Sequence, residues 1–225
     1  MRAITSRDTD SQENVPKPLV EIGGKPILWH ILQLYAAQGC RRFVLCLGYR
    51  GDLIRQTLPL DPAWDVTFAE TGELTPTGGR VLAVADQVSG SDFFVTYGDG
   101  LADLDLAALL AFHRRHGNVA TLTAVRPRLP FGLLRLAADG RVRGFQEKPQ
   151  LEQWINGGFF VFQRAIFERL RPDVALEAAP LETLAAEGQL HAFQHRGFWA
   201  CMDTYKDQLM LNQLWEAQAA AWKIW

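Results

Sequence analysis

The feature that most constrains the fold of this chain is an alternation of short apolar runs with segments of helical periodicity. Residues 42–47, 93–97 and 120–125 have the length and composition of buried strands. Apolar positions at helical spacing follow Pro26 and stop at Gly39, which predicts a helix between them. This order predicts an α/β fold with a Rossmann-like, mixed but mostly parallel sheet flanked by helices.

Another helix is predicted before residue 120, capped by Asp103 or Asp105 and ended by Gly117. The second half of the chain has a different pattern. Farther on, Asp139-Gly140 lies between two apolar runs and therefore indicates a β-hairpin. A strand is predicted over 155–162 and an amphipathic helix over 204–222. We expect one domain with a small antiparallel addition in its second half.

Charge and composition exclude several classes of protein. The 23 basic and 25 acidic residues leave a net charge of −2, which argues against a nucleic-acid partner. No apolar run reaches the roughly 18 residues of a membrane span, so no membrane partner is expected. The first residues lack the apolar stretch of a signal peptide, and the cysteines, Cys40, Cys46 and Cys201, have no C-x-x-C spacing. These features predict a cytoplasmic protein with reduced thiols.

Two aspartates are candidate metal ligands. Asp99 follows a predicted buried strand, at the edge where open parallel sheets bind ligands, although a plain Asp-Gly turn explains the same residues. Asp203 precedes the last predicted helix and is by itself more often a helix cap than a ligand. Because Mg²⁺ commonly takes one or two protein carboxylates, only a pairing of Asp99 with Asp203 favours a metal site.

Other segments suit anions or polar substrates without being specific. Lys17 is mounted rigidly between two prolines, although a solvated lysine is the simpler explanation. Residues 77–80 open a predicted helix whose free amides, with Arg80, suit an anion, and a bare turn fits equally well. Residues 147–148 end the hairpin and 156–157 begin a strand. The chain has no G-x-G-x-x-G, G-x-x-x-x-G-K-[ST] or G-x-S-x-G, so dinucleotide dehydrogenases, P-loop proteins and α/β-hydrolases lose support.

Taken together, these segments resemble the sugar-1-phosphate nucleotidyltransferases. The resemblance runs nearly end to end, and it is carried by the order and spacing of residues 16–30, 48–51, 77–80, 96–105, 145–149 and 155–160. The final segments are most similar to the glucose-1-phosphate cytidylyltransferase branch, in residues 197–199, 202–204 and 214–216.

The resemblance implies that CTP and α-glucose 1-phosphate give CDP-glucose and pyrophosphate. It implies a Mg²⁺ ion held from opposite sides by Asp99 and Asp203, with Lys17 as a third catalytic residue on the phosphates. Nucleotide-binding residues are then Thr5, Thr77, Gly78, Gly79, Arg80 and Gly98. Sugar-phosphate-binding residues are Glu147, Lys148, Asn156 and Gly157. The domain divides into a nucleotide-binding part, about 1–125, and a sugar-phosphate-binding and C-terminal part, about 126–225, in a homo-oligomer.

Two departures from the family pattern carry their own predictions. The family opens with a strand that runs into a glycine-rich G-G-x-G-T-R-L loop, whereas here Thr5 directly follows Ile4. Because the opening strand is also too short for a sheet, we expect loop residues to be missing from the printed sequence at this junction; the alternative is a protein without the loop.

The second departure lies between Arg55 and Trp64, where a short segment replaces the longer insertion of the family. Either the insertion is naturally shortened or residues are omitted here as well. This departure concerns the oligomeric assembly more than the chemistry.

Alternatives to this function stay open at the level of the sequence. The same chemistry suits UTP or dTTP as the nucleotide, and a phosphonate or another phosphorylated compound as the acceptor. An alternative from a different class is a nucleotide-sugar-binding regulatory protein that no longer turns over. True absence of the glycine-rich loop favours the binding protein, whereas an intact pair of Asp99 and Asp203 favours the enzyme.

Overall fold

The computed structural model describes residues 15–225. In chain order its strands and helices are β1 (Glu21–Ile22), β2 (Lys25–Pro26), α1 (Ile27–Ala37), β3 (Arg42–Leu47), α2 (Gly51–Thr57), β4 (Asp65–Glu70), α3 (Thr77–Ala83), β5 (Asp92–Thr96), β6 (Gly100–Ala102), α4 (Leu106–His116), β7 (Ala120–Val125), β8 (Leu133–Leu136), β9 (Val142–Gln146), β10 (Ile155–Gln163), α5 (Ala179–Ala186), β11 (Leu190–Gln194), β12 (Trp199–Cys201) and α6 (Tyr205–Glu216). Short 3₁₀ turns cover residues 17–19, 85–87 and 164–169. The strands and helices predicted between residues 26 and 125 are confirmed, close to their predicted bounds.

The central sheet has four strands in the order β11-β7-β10-β5. Strand β11 is parallel to β7, whereas β10 is antiparallel to both of its neighbours, β7 and β5. Three strands therefore run in one direction and β10 runs in the other, which confirms the mixed, mostly parallel sheet. Strands β3 and β4 form a separate parallel pair, joined through α2.

Strand β10 divides the core because its side chains alternate between the two faces of the sheet. Phe159 and Val161 pack into the cluster that includes residues of α1, β6 and α4. Phe160 and Phe162 pack into a second cluster, with residues of α5 and of the turn at 164–169. All four side chains are almost completely buried, so this strand is a near-continuous apolar run covered on both faces.

The first residues of helices α4 and α6 are set by side chains that accept hydrogen bonds from free backbone N–H groups. Asp105, not Asp103, caps α4, since its Oδ1 accepts the Ala108 N–H at 2.8 Å, and Gly117 ends the helix at φ +71°. Thr204 caps α6 in a reciprocal capping box with Asp207, so Asp203 is free of that role.

The C-terminal helix is shorter than predicted. It ends at Glu216, not at residue 222, because the chain turns at Gln218 with a left-handed φ of +56°. The tail then folds back and buries Trp222 completely, with its Nε1 3.4 Å from His30 Nδ1. These tail residues therefore pack on their own chain. Within the described residues, no helix is long and apolar enough to cross a membrane.

The connection between α2 and β4 is short, and its first residue, Leu58, packs in the core. Leu58 follows α2, is buried, and donates its backbone N–H to Ile54 O at 3.0 Å. The Asp65 N–H then bonds Arg41 O at 2.8 Å as β4 begins. Residues 58–64 thus connect α2 to β4 in the structure.

Candidate active site

Three charged side chains that are far apart in sequence meet at one point. Lys17 Nζ donates to Asp99 Oδ2 at 2.6 Å and to Asp203 Oδ1 at 2.6 Å. The side chains of Lys17 and Asp99 are mostly buried, 12% and 15% exposed, whereas that of Asp203 is 65% exposed. The structure therefore holds one ammonium group between two carboxylates.

A small antiparallel ribbon brings the two carboxylates together. Strand β6 begins directly after Asp99, and β12 ends two residues before Asp203. Cys201 pairs with Gly100 in this ribbon, and the Met202 N–H donates to the Asp99 carbonyl oxygen at 2.9 Å. Since paired antiparallel strands fix which residues lie side by side, Asp99 and Asp203 leave the ribbon at the same end.

Lys17 approaches this end from the other side of the chain. It begins a 3₁₀ turn at residues 17–19, and Pro16 and Pro18 restrict the backbone on both sides. Gly98 lies against this turn, since a Cβ at that position would be 3.4 Å from Pro18 Cγ. The rigid mount predicted for Lys17 thus places its ammonium group at the carboxylates.

The hydrogen bonds between Lys17 and the aspartates favour the charged forms of the Lys17 and Asp203 side chains. Burial lowers the pKa of Lys17, but its hydrogen bonds with Asp203 and Asp99 raise it by more, so the net pKa lies above the ordinary value. The hydrogen bond from Lys17 lowers the pKa of Asp203, against a smaller effect of burial. Two carboxyl groups and one ammonium group formally carry one net negative charge, which favours a further cation.

Cys201, which the sequence did not predict as a site residue, also faces this site. A carboxylate oxygen of Asp99, the Cys201 Sγ and a carboxylate oxygen of Asp203 all lie within 4.8 Å of one another. Burial raises the pKa of the Cys201 thiol well above its usual range, and the nearby Asp99 charge raises it further. The donor set is thus two oxygen ligands and one neutral thiol, and the carboxylate pair fits a hard divalent cation.

The segment Thr77-Gly78-Gly79 packs tightly against residues 172–177. Thr77 Oγ1 donates to Glu177 Oε2 at 2.6 Å and accepts the Leu176 N–H at 2.9 Å. A Cβ at Gly78 would lie 2.5 Å from Val174 O, and one at Gly79 would lie 2.1 Å from Pro172 O. Close backbone packing therefore explains both glycines.

Arg80 holds a loop in the structure. Its guanidinium donates to Thr75 O at 2.9 Å, to Thr71 Oγ1 at 2.8 Å and to Glu73 O at 3.1 Å. It also fills the space beside Gly48, where a Cβ would be 2.4 Å from Arg80 Nη2. Arg80 is thus positioned by residues 71–75 and makes no hydrogen bond to the Lys17 group among the described residues.

Asn156 belongs to a polar network that includes two residues not predicted from the sequence. Its amide nitrogen lies 3.4 Å from Tyr97 OH, and its Oδ1 accepts the Gly158 N–H at 2.9 Å. Tyr97 OH in turn donates to Glu177, the same carboxylate that binds Thr77. Burial raises the pKa of Tyr97, and the Glu177 charge raises it further, so the phenol stays a donor. The network connects the predicted nucleotide and sugar-phosphate segments.

The remaining predicted site residues are less connected. The Gly157 carbonyl oxygen accepts the Trp199 indole N–H at 2.8 Å, so Gly157 lies beside the strand that leads to Asp203. Glu147 and Lys148 are exposed and pair with each other at 3.8 Å, and within residues 15–225 neither bonds another predicted site residue. Thr5 and its junction with Ile4 lie outside the described residues, so the loop prediction there stays a prediction.

A cavity of about 210 Å³ opens at the carboxyl ends of β7 and β11. Arg126 and Arg196 lie over the ring of Trp154 in its wall, with guanidinium carbons 4.8 and 5.7 Å from the ring centroid. Trp199 also lines it. This is the edge of the sheet at which β5 leads to Asp99, and the two guanidinium groups give it positive charge.

The comparisons with known proteins find related sequences and a similar fold. The family model described as Nucleotidyl transferase matches residues 12–217. Glucose-1-phosphate cytidylyltransferase of Salmonella typhimurium is 43% identical over 244 residues, which cover 96% of this chain and 94% of that protein. The probable glucose-1-phosphate cytidylyltransferase of Bacillus subtilis is 38% identical over 98% of this chain and 96% of its own. HddC from Yersinia pseudotuberculosis has a TM-score of 0.72 at 24% identity, covering 92% of each chain, which is a likeness of fold.

The alignment with the Salmonella protein is longer than this chain. It extends over 244 residues, whereas the chain has 225, so the relative carries residues that have no counterpart here.

Proposed function

Because the chain belongs to the nucleotidyl transferase family, we propose that it transfers CMP from CTP to glucose 1-phosphate and so forms CDP-glucose and pyrophosphate. The relatives named for this reaction match almost the whole chain. The structural observation that carries the proposal is the convergence of Asp99 and Asp203 on a single cationic group, Lys17 Nζ, at 2.6 Å from each.

The reaction needs little proton transfer. A phosphate oxygen of glucose 1-phosphate is already anionic, so it can attack the α-phosphorus of CTP directly. One P–O bond forms, and the bond to the β-phosphate oxygen breaks, so the electron pair and the negative charge leave with pyrophosphate. The barrier arises from bringing two anions together, and catalysis therefore rests on positioning and on charge neutralisation.

We assign Lys17, Asp99 and Asp203 to the phosphate-transfer site. Carboxylate oxygens are the protein ligands that Mg²⁺ prefers, so Asp99 and Asp203 would hold this ion. When bound, the ion supplies positive charge to the triphosphate. Lys17 carries a fixed positive charge at the same place, because its ammonium is anchored by the rigid turn at residues 17–19, and it binds phosphate oxygens.

The substrate segments follow from the two halves of the domain. We assign the nucleotide to residues 1–125, with Gly98, Thr77, Gly78, Gly79 and Arg80 around it. The network through Tyr97 and Glu177 connects this part with Asn156 and supports an acceptor site at Asn156 and Gly157. Glu147 and Lys148, on the exposed end of the hairpin, complete the proposed sugar-phosphate site in residues 126–225. A homo-oligomeric state stays a prediction.

The test is pyrophosphate release from each nucleoside triphosphate with glucose 1-phosphate, with and without Mg²⁺. We expect turnover with CTP in the presence of Mg²⁺. Asp99→Asn should reduce it by about 10² or more, in line with the loss of an electrostatic group at a reacting phosphate. Asp86→Asn, an exposed aspartate away from the ribbon, is the matched control and should keep wild-type turnover.

Two outcomes would contradict this proposal. Turnover with UTP or dTTP in place of CTP would keep the chemistry but reject the assigned nucleotide. Absence of pyrophosphate release with every triphosphate, together with tight binding of CDP-glucose by calorimetry, would instead identify a nucleotide-sugar-binding protein.

A further inference from the structure

The carboxylate pair has a sulfur neighbour that a site for Mg²⁺ does not require. The Cys201 Sγ and one oxygen from each of Asp99 and Asp203 lie within 4.8 Å of one another. Within residues 15–225 this is the single group of three such ligand atoms. Magnesium takes oxygen ligands, so the thiol has no evident part in binding that ion.

The ribbon geometry places the thiol on the same side as the carboxylate. Cys201 and Asp203 are two residues apart at the end of β12, and residues with that spacing share one face of an extended chain. Met202, between them, is 3% exposed and points into the core. The Sγ therefore lies close to an oxygen of each carboxylate.

We propose that Cys201 is a third ligand at this cation position and makes it a site for thiophilic divalent cations such as Zn²⁺, which would occupy the same carboxylates as Mg²⁺. The proposal rests on the proposed function only for the assignment of Mg²⁺ to the same carboxylates. Thiolate ligands select Zn²⁺ and related ions over Mg²⁺. Tetrahedral Zn²⁺ with oxygen and sulfur ligands separates them by about 3.5 Å, a contraction that small side-chain rotations can provide.

The charge balance favours binding of a divalent cation at these three ligands. On binding Zn²⁺ the thiol loses its proton to solvent, an S–Zn bond replaces the S–H bond, and no electron transfer occurs. Two carboxylates, the thiolate, the Lys17 ammonium and a divalent cation then sum to zero charge.

The test uses Cd²⁺, a thiophilic probe whose bond to sulfur gives an ultraviolet charge-transfer absorption. The full chain is titrated with Cd²⁺ alone, without substrates. We expect the wild type to develop this band to saturation at one Cd²⁺ per chain. Cys201→Ser should lose the band and bind Cd²⁺ at least about tenfold more weakly. Cys40→Ser, a change at a cysteine outside the ribbon, is the matched control and should keep both the band and the affinity.

A second variant tests the inference independently in case Cys201→Ser fails to fold. Asp203→Asn alters a side chain that is 65% exposed, and it should keep the band while weakening Cd²⁺ binding. An unchanged band and affinity in Cys201→Ser, or no band in the wild type, would overturn the inference even if CTP turnover is found. A Cys201-dependent band without turnover on any triphosphate would support the inference and reject the proposed function.

Discussion

Removal of the Lys17 ammonium tests the central arrangement of the site through stability as well as activity. In Lys17→Met, the side chain keeps its length but both carboxylates lose their partner. Asp99 is 15% exposed, so its charge becomes buried and uncompensated. Breaking a fully buried pair costs about 3–5 kcal/mol, and the partial exposure of Asp99 reduces our expectation to about 2–3 kcal/mol. Asp203, 65% exposed, is well solvated and adds little to this loss.

The measurement is the free energy of unfolding in urea, with a metal chelator and then with Mg²⁺. A divalent cation can replace the missing positive charge, so Mg²⁺ should stabilise Lys17→Met more than it stabilises the wild type. The exposed Lys206→Met is the matched control and should change stability by no more than about 0.5 kcal/mol. Equal stability of Lys17→Met and wild type in chelator would refute the argument that Lys17 neutralises the pair, and so would an identical Mg²⁺ effect on both.

Three further predictions concern the surroundings of the site. Arg80→Lys cannot make the three hydrogen bonds to residues 71–75, so the KM for CTP should rise more than the KM for glucose 1-phosphate in steady-state assays. Gly79→Ala would bring a Cβ to 2.1 Å from Pro172 O and should destabilise the fold by about 1–3 kcal/mol in urea, whereas an unchanged midpoint would contradict the packing. Burial and the neighbouring His191 lower the pKa of His116 to about 4, below its ordinary value of 6.5. The unfolded chain therefore binds the proton more readily, and stability should fall as the pH drops from about 6.5 to about 4; the fall should be smaller in His116→Gln.

The elements that could be predicted are those whose signal is local. Strands such as 42–47 and 120–125 are apolar runs of sufficient length, and α4 carries its own cap at Asp105 and its own stop at Gly117. The position of β10 between β5 and β7 is different, because strand order depends on which partners form hydrogen bonds. The length of α6 was overestimated because burial of Trp222 by tertiary packing, not periodicity, decides where the chain turns back.

The geometry of the site also depends on tertiary contacts that the local sequence does not predict. Asp99, Asp203 and Lys17 were recognisable from a family pattern, but their meeting depends on β6 and β12, strands of three residues each. Strands this short carry no periodicity that a sequence can display. Cys201 and Glu177 were missed for a related reason, since a thiol at the end of an apolar strand and an exposed glutamate have no signature of their own. The Cys-x-Asp spacing at 201–203 is the one local signal that would have indicated a shared face.

The ribbon itself is held by its apolar residues and not by the charged groups at its end. Leu101, Ala102 and Met202 are almost completely buried in the same core cluster as α1 and α4. Burial of such side chains stabilises the fold by about 25 cal/mol per Å² of apolar surface, independently of any ion. The core therefore fixes the backbone at Asp99 and Asp203, and the repulsion between the two carboxylates is relieved locally by Lys17. Replacing either aspartate should then remove function while leaving the fold standing, because the positions of these charges depend on packing that they do not themselves provide.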